Sequence, residues 1–313
     1  MGQWRYFYGG LKVLSELRLP EWEPFQVPEG TADAGWAPEL RIRLGDAHAG
    51  GSEPIITPNE YSFRVPGVGG FQIREGREIL VAPEPDVRRR QLRPWILGSG
   101  WGAACYQRGL LIVHASAVAV EGSAMLFCAR SGGGKSTLAA QLGASGFSLI
   151  SDDLCRIDLR PQGPPMVFPA APRLKLWNDA LGKLGLSGES MEPDHLRDGK
   201  FHLPRAGQGS TEALPVGGIY LLEWGEPAIR PIFGLAAFRR FLAAGTWRPR
   251  LVESMGRTSG YAQQCMDLVQ RVPVREFCRA RDLVGAPAAL ARLTQHWSGE
   301  VPGEVPGEVY DEP

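Results

Sequence analysis

Residues 129–136 read Ala129-Arg130-Ser131-Gly132-Gly133-Gly134-Lys135-Ser136, with Thr137 next, and no other stretch restricts the fold of this chain as much. The pattern is [A/G]xxxxGK[S/T]. Consecutive glycines let the backbone double back and aim several N–H groups at one point, which is how a loop cradles phosphate. A lysine in this position reaches the terminal phosphates and the following hydroxyl can sit on a magnesium ion. Such a loop needs a strand before it and a helix after it. Ala124-Met125-Leu126-Phe127-Cys128 is a short apolar run that fits a buried strand, and Ser136 to Leu142 contains good helix formers closed by Gly143 and Gly146. The helix then points its positive end at the loop. Arg130, Ser131, Gly132, Gly133, Gly134, Lys135, Ser136 and Thr137 are the candidate nucleotide-binding residues.

The flanks narrow the type. Ser116 to Val120, then Glu121-Gly122, then Ser123 to Cys128 read as a β-hairpin, so the loop strand gains an antiparallel neighbour directly before it. After the helix, Phe147 to Ser151 reads as a strand that delivers Asp152 and Asp153 at its end. Paired carboxylates beside a phosphate loop suit a metal ion and a proton acceptor.

The run HASAVAV-EG-SAMLFCARSGGGKSTLAAQL…FSLISDD resembles the catalytic core of the HPr kinase/phosphorylase family, and more closely its shorter relatives from bacterial peptide-biosynthesis clusters, including those for lasso peptides. The resemblance is strong from His114 to Asp153 and weaker elsewhere. It implies an α/β fold: a P-loop core of mixed sheet and helices like that of HPr kinase and phosphoenolpyruvate carboxykinase, preceded by a small, mostly-β domain. It implies a kinase that uses ATP and Mg²⁺ to phosphorylate a hydroxyl, Ser above all, on a peptide or small protein such as a ribosomally made precursor. By the same match, His114, Lys135, Asp152 and Asp153 are the catalytic candidates. Asp152 is expected to be the base with His114 beside it, and Ser136 and Asp153 to hold the metal. Full-length HPr kinases carry a Glu- and Gly-containing signature after the Asp pair; here that region reads RIDLRPQGPPMVFP and does not match. This argues against the phosphate-driven reverse reaction and against HPr itself as acceptor. Two other readings stand beside this one: a small-molecule kinase on the same core, and a non-catalytic nucleotide-gated binding module. Binding alone needs neither a base nor its partner, so the Asp pair and His114 speak against the last.

Composition sets the class. The chain has 313 residues, 43% hydrophobic and 22% charged, and a net charge of zero, which argues against a nucleic-acid or membrane-binding surface. No apolar run nears the ~20 residues needed to span a bilayer. The five cysteines, Cys105, Cys128, Cys155, Cys265 and Cys278, form no CxxC pair and read as buried thiols of a cytoplasmic protein. Beyond the nucleotide and the hydroxyl acceptor, the sequence is compatible with a homo-oligomer.

Three segments are expected: a β-rich domain over 1–95, a kinase domain over 96–300 and an acidic Pro/Gly tail over 301–313. In the first, Trp4–Tyr8, Leu11–Val13, Leu40–Leu44, Tyr61–Val65, Phe71–Ile73 and Ile79–Val81 read as strands. Arg88-Arg89-Arg90 with Arg93 reads as a solvated turn at the joint, followed by an apolar helix from Pro94 to Gly109. Past the core, Leu154–Leu159 is a strand, Pro161–Pro172 a loop and Leu174–Leu184 a helix. Gly185–Gly209 reads as a long polar flap in which Lys200 and Arg205 are candidate phosphate-clamping cations; His48, His195 and His202 show no metal-site spacing. Val216–Glu223 and Val274–Cys278 read as strands, and Phe233–Leu242, Gly260–Arg271 and Ala286–Trp297 as helices. The VPGE-VPGE tail buries too little to order itself, so deleting 301–313 is expected to leave melting temperature and activity unchanged. A large drop in melting temperature would show that it docks.

Overall fold

The computed structural model describes residues 2–28, 30, 35–47, 53–171, 173–177, 192–193, 200–204, 211–281 and 286–299. A first sheet is built from β1 (Trp4–Tyr8), β2 (Leu11–Ser15), β3 (Leu40–Leu44), β4 (Ile55–Ile56), β5 (Glu60–Val65), β6 (Gly69–Arg74) and β7 (Glu78–Pro83), in the order β1-β2-β3-β7-β6-β5-β4. Gly9 and Gly10 close the β1–β2 hairpin at φ 54° and 78°, a turn that L side chains resist. In β3 Leu40 and Ile42 are buried and Arg41 and Arg43 exposed, the alternation of a strand with one wet face.

The chain then enters helix α1 (Arg89–Trp95), a π turn over Ile96–Gly100, and α2 (Trp101–Gln107). The sequence placed the helix start at Pro94; it lies at Arg89, so the Arg88–Arg90 run opens a helix and is not a turn. Pro94 has no N–H to give the preceding turn, and the π turn begins two residues later, at Ile96. Arg93 is committed to structure: its Nε donates to the buried Glu21 at 2.7 Å.

The second sheet begins with β8 (Leu111–Val113), β9 (Ala115–Val120) and β10 (Ser123–Cys128); helix α3 (Lys135–Ala144) leads to β11 (Leu149–Asp152), β12 (Cys155–Asp158) and β13 (Met166–Val167). A separate small sheet of order β14-β16-β15 follows, from β14 (Arg173–Trp177), β15 (Glu192–Pro193) and β16 (Lys200–Pro204). The second sheet is completed by β17 (Leu214–Trp224), β18 (Ala228–Ile232) and β19 (Val274–Arg279), with helices α4 (Gly234–Gly245), α5 (Pro249–Ser254), α6 (Thr258–Arg271) and α7 (Ala286–Trp297). Its order is β11-β9-β10-β17-β13-β12-β8, with β19 beside β17 and β18 beside β19.

Three expectations fail here. The Leu174–Leu184 helix is in its first part strand β14, whose RLKLW has a period of two; 178–184 lie outside the described residues. The Pro161–Pro172 loop contains β13, a two-residue strand that pairs with the start of β17. The Gly185–Gly209 flap contains β15 and β16, so Lys200 and His202 stand on a strand; His48, His195, Arg205 and the tail fall outside the described residues. The β9–β10 hairpin is as expected, turning at Glu121-Gly122 with φ 47° and 78°.

Alternation along the central strands divides the core in two. Ala124, Leu126 and Cys128 of β10, with Ile219 and Leu221 of β17, face a large cluster that also takes in α2, α4, α6 and the first sheet. Phe127 of β10, with Tyr220 and Leu222 of β17, faces a smaller cluster with Leu138 and Leu142 of α3 and Leu293 of α7. A sheet covered on both faces is the usual setting for parallel strands such as β10, β17 and β19. All five cysteines are free and buried. No helix among the described residues is long and apolar enough to cross a membrane.

Trp101 joins the two sheets. Its ring lies edge-on to Tyr8 at 5.0 Å and to Trp22 at 5.8 Å, and it sits in the same cluster as Val113 and Phe241. Trp101→Ala is expected to cost about 3–5 kcal/mol. Because the cluster is continuous, urea unfolding followed by circular dichroism should stay one transition at a lower midpoint; two separated transitions would show that the sheets unfold independently.

Candidate active site

Three glycines shape the loop, each for its own reason. Gly132 and Gly134 have φ of 82° and 75°, in the left-handed region. At Gly133 an added Cβ would lie 2.5 Å from the Cβ of Ala129 and 2.9 Å from the Arg130 carbonyl oxygen. Gly134 caps α3, which has no side-chain cap and no acidic residue in its first turn, so its leading N–H groups are left to the loop. Ala129, where many such loops have glycine, is not among the residues with positive φ, and its methyl is buried. Arg130 and Ser131 are exposed; Ser136 and Thr137 are half-buried at the start of α3.

Lys135 is only 6% exposed. Its ammonium donates to the Ala129 carbonyl at 2.9 Å and to His114 Nε2 at 3.0 Å. For Nε2 to accept, the ring proton sits on Nδ1, which lies 2.9 Å from the Asp153 carbonyl oxygen and 3.3 Å from Asp153 Oδ1. A second group forms alongside. Asp152 Oδ1 accepts from Ser136 Oγ at 3.0 Å and from Ser116 Oγ at 2.6 Å. Hydrogen bonds onto an ionised carboxylate are short and strong, about 1.5–3 kcal/mol each.

The four catalytic candidates are therefore together, but paired differently from the sequence expectation. His114 meets Asp153, and Ser136 meets Asp152. The backbone explains the exchange. Asp152 is still in β11, where it pairs with Ser116 of β9, so it lies against α3. Asp153 leaves the strand at φ 79°, a left-handed turn that Asp tolerates at roughly 1 kcal/mol, and this carries it over to His114. His114 itself is anchored between β8 and β9 by its N–H, which donates to the Gly245 carbonyl at 2.7 Å.

Two contributors were not singled out from sequence. Ser116 follows from the β9–β11 register, which no local pattern reports. Arg279, at the end of β19, donates from Nη2 to the Gly133 carbonyl at 2.6 Å across a separation of 146 residues. Among the described residues no group of three or more His, Cys, Asp and Glu side chains could hold a metal. The hydroxyl of Ser136 with the carboxylate of Asp152 fits Mg²⁺, which takes one or two protein oxygens and leaves the rest to phosphate and water.

Burial lowers the Lys135 pKa from the ordinary lysine value, partly offset by Cys128, Asp152 and Asp153 nearby. Burial also pushes the Cys128 thiol up to about 12, so it stays neutral behind the loop.

No protein-family model matches the chain, and neither does any curated protein. Among solved structures, the Hpr(Ser) kinase/phosphatase from Coxiella burnetii is similar with a TM-score of 0.32 at 11% identity, over 61% of this chain and 99% of that one.

A depressed lysine pKa means that the folded state holds this proton less tightly than the unfolded chain. The cost of burying the charge is thus present in full below the folded-state pKa and is relieved as pH rises through it toward the unfolded value. Lys135→Met is accordingly expected to melt at or above the wild-type temperature at pH 7, by a margin that narrows at alkaline pH. A melting point several degrees lower would show that the bonds to Ala129 and His114 outweigh the burial cost.

Proposed function

We propose that this chain is an ATP-dependent kinase that transfers the γ-phosphoryl group to a hydroxyl, Ser foremost, of a peptide or small protein. The observation that carries the reading is the convergence at one loop of Lys135 and Ser136 with two adjacent carboxylates, one of them reached through His114. A nucleotide-gated binding module needs the loop but has no use for a base. The peptide acceptor rests on the sequence resemblance from His114 to Asp153. The division near residue 95 into a β-rich part and a kinase part belongs to the same proposal.

Phosphoryl transfer asks a protein for charge neutralisation and alignment more than for covalent chemistry. The loop N–H groups and Lys135 supply fixed positive charge where the γ-phosphoryl develops negative charge. Mg²⁺, when bound, adds charge neutralisation and orientation of the phosphates. Ser136 and Asp152 are the side chains placed to hold it, and Ser116 fixes the Asp152 rotamer from the other side. Asp153 is then the base. The acceptor oxygen bonds to the γ-phosphorus as the bond to the β–γ bridging oxygen breaks; ADP departs and the hydroxyl proton passes to the Asp153 carboxylate. His114 acts through its neighbours, keeping one nitrogen toward Lys135 and the other toward Asp153.

The first experiment is incubation with ATP, Mg²⁺ and Ser-containing peptides, read by mass for an added phosphate. The roles are separated by single-turnover transfer with nucleotide binding followed in parallel. Asp153→Asn should bind ATP almost normally and transfer roughly 10²–10⁴-fold more slowly, the scale of a lost general base. Asp152→Asn should raise the Mg²⁺ requirement, since a neutral amide is a poor ligand for a hard cation. The opposite pattern would return the roles to those implied by the resemblance. Full rates in both variants would place the chemistry elsewhere.

A further inference from the structure

The carboxyl ends of β10, β17 and β19 lie side by side in parallel, and open α/β sheets bind ligands outside such ends. The end of β10 is the phosphate loop. The ends of the other two are Trp224 and Arg279, which are register partners. Both reach the loop: a Cβ on Gly134 would meet Arg279 Nη2 at 2.4 Å and the Trp224 ring at 3.2 Å.

The pair has two properties that packing alone leaves unexplained. Trp224 is 42% exposed, although it stands beside a loop built for a charged ligand. Arg279 is 7% exposed; its Nη2 is used on Gly133 and its guanidinium lies 4.2 Å over the Trp224 ring, yet its buried Nη1 has no hydrogen-bond partner among the described residues. A buried donor left without an acceptor costs about 1–3 kcal/mol or more when charged, so such a group is a candidate for satisfaction by a ligand. Burial also brings the Arg279 pKa down to about 10, still well above neutrality, so the group remains a cation and a donor.

We infer that Trp224 and Arg279 form the nucleobase subsite of this nucleotide site, with the exposed indole as stacking surface and Arg279 Nη1 as donor to the base or its ribose. The inference rests on the nucleotide reading above and adds to it the place where the base is held. Indole and guanidinium planes both offer flat faces to a base, and such stacking tolerates any base because every base has a π-face. The bond from Nη2 to Gly133 makes Arg279 at the same time a positioning residue for the loop.

The test compares two ligands of the full chain by calorimetry with Mg²⁺ present: ATP, which would fill both subsites, and inorganic tripolyphosphate, which would fill the loop alone. In the wild type both should bind, ATP more tightly. Trp224→Leu, at a partly exposed position, should weaken ATP by roughly 10–100-fold, the scale of one lost base–aromatic stack, and leave tripolyphosphate unchanged. Arg279→Lys removes the planar group and the Nη1 donor and also alters the contact to Gly133, so it should weaken ATP by a clearly larger factor than tripolyphosphate. Trp224→Leu binding ATP as the wild type does, or losing both ligands equally, overturns the base subsite. A wild type that binds tripolyphosphate as tightly as ATP also overturns it while leaving the loop reading intact. A wild type that binds neither overturns both.

Discussion

The arrangement around the loop depends on one buried ammonium. Lys135 is held by a main-chain carbonyl of its own loop and by an imidazole from a neighbouring strand junction, with two carboxylates close by. A charge so enclosed must have its donors satisfied, which fixes the loop's curvature at Ala129 and the tautomer of His114 together. His114 in turn holds the backbone where Asp153 leaves its strand. The geometry of four residues from three segments thus follows from one cation that cannot be left without acceptors.

The hairpin makes this closure achievable. In an ordinary strand–loop–helix unit the loop strand has parallel neighbours that arrive from far along the chain. Here β9 runs antiparallel beside β10 after a two-residue turn, and β11 pairs with β9. His114 and Ser116, on either side of the first residue of β9, are therefore carried to the loop by local chain geometry, with little loop-closure entropy to overcome. They divide the carboxylate pair between them, one to each side.

Much of this was legible because its signals were local. The strands Trp4–Tyr8, Leu40–Leu44 and Ser123–Cys128 and the helix Ala286–Trp297 have the bounds that their periodicity and flanking turns indicate. The loop, its strand and its helix followed from glycine and lysine spacing. Where signals were weak or non-local, the reading failed. Two-residue β4 and β13 have too little pattern to see, and RLKLW was absorbed into an adjoining helix-prone run. The sequence names His114, Lys135, Ser136, Asp152 and Asp153 as candidates but not how they pair, which turns on one left-handed residue at Asp153. Ser116, Trp224 and Arg279 carry no motif; only strand register brings them to the loop.

The aromatic seam at Trp101 bears on how such a chain can vary. Tyr8 and Trp22 come from the first eighty residues, Trp101 from the connecting helix, and all three belong to one cluster with the strands that support the phosphate loop. A change of volume on one side of that seam is felt on the other, so substitutions there must be matched in pairs to be neutral. The second sheet is consequently a poor cassette for transplantation: a chimera that takes the loop and its carboxylates from this chain and its first sheet from another would expose an apolar wall where Trp101 expects its partners.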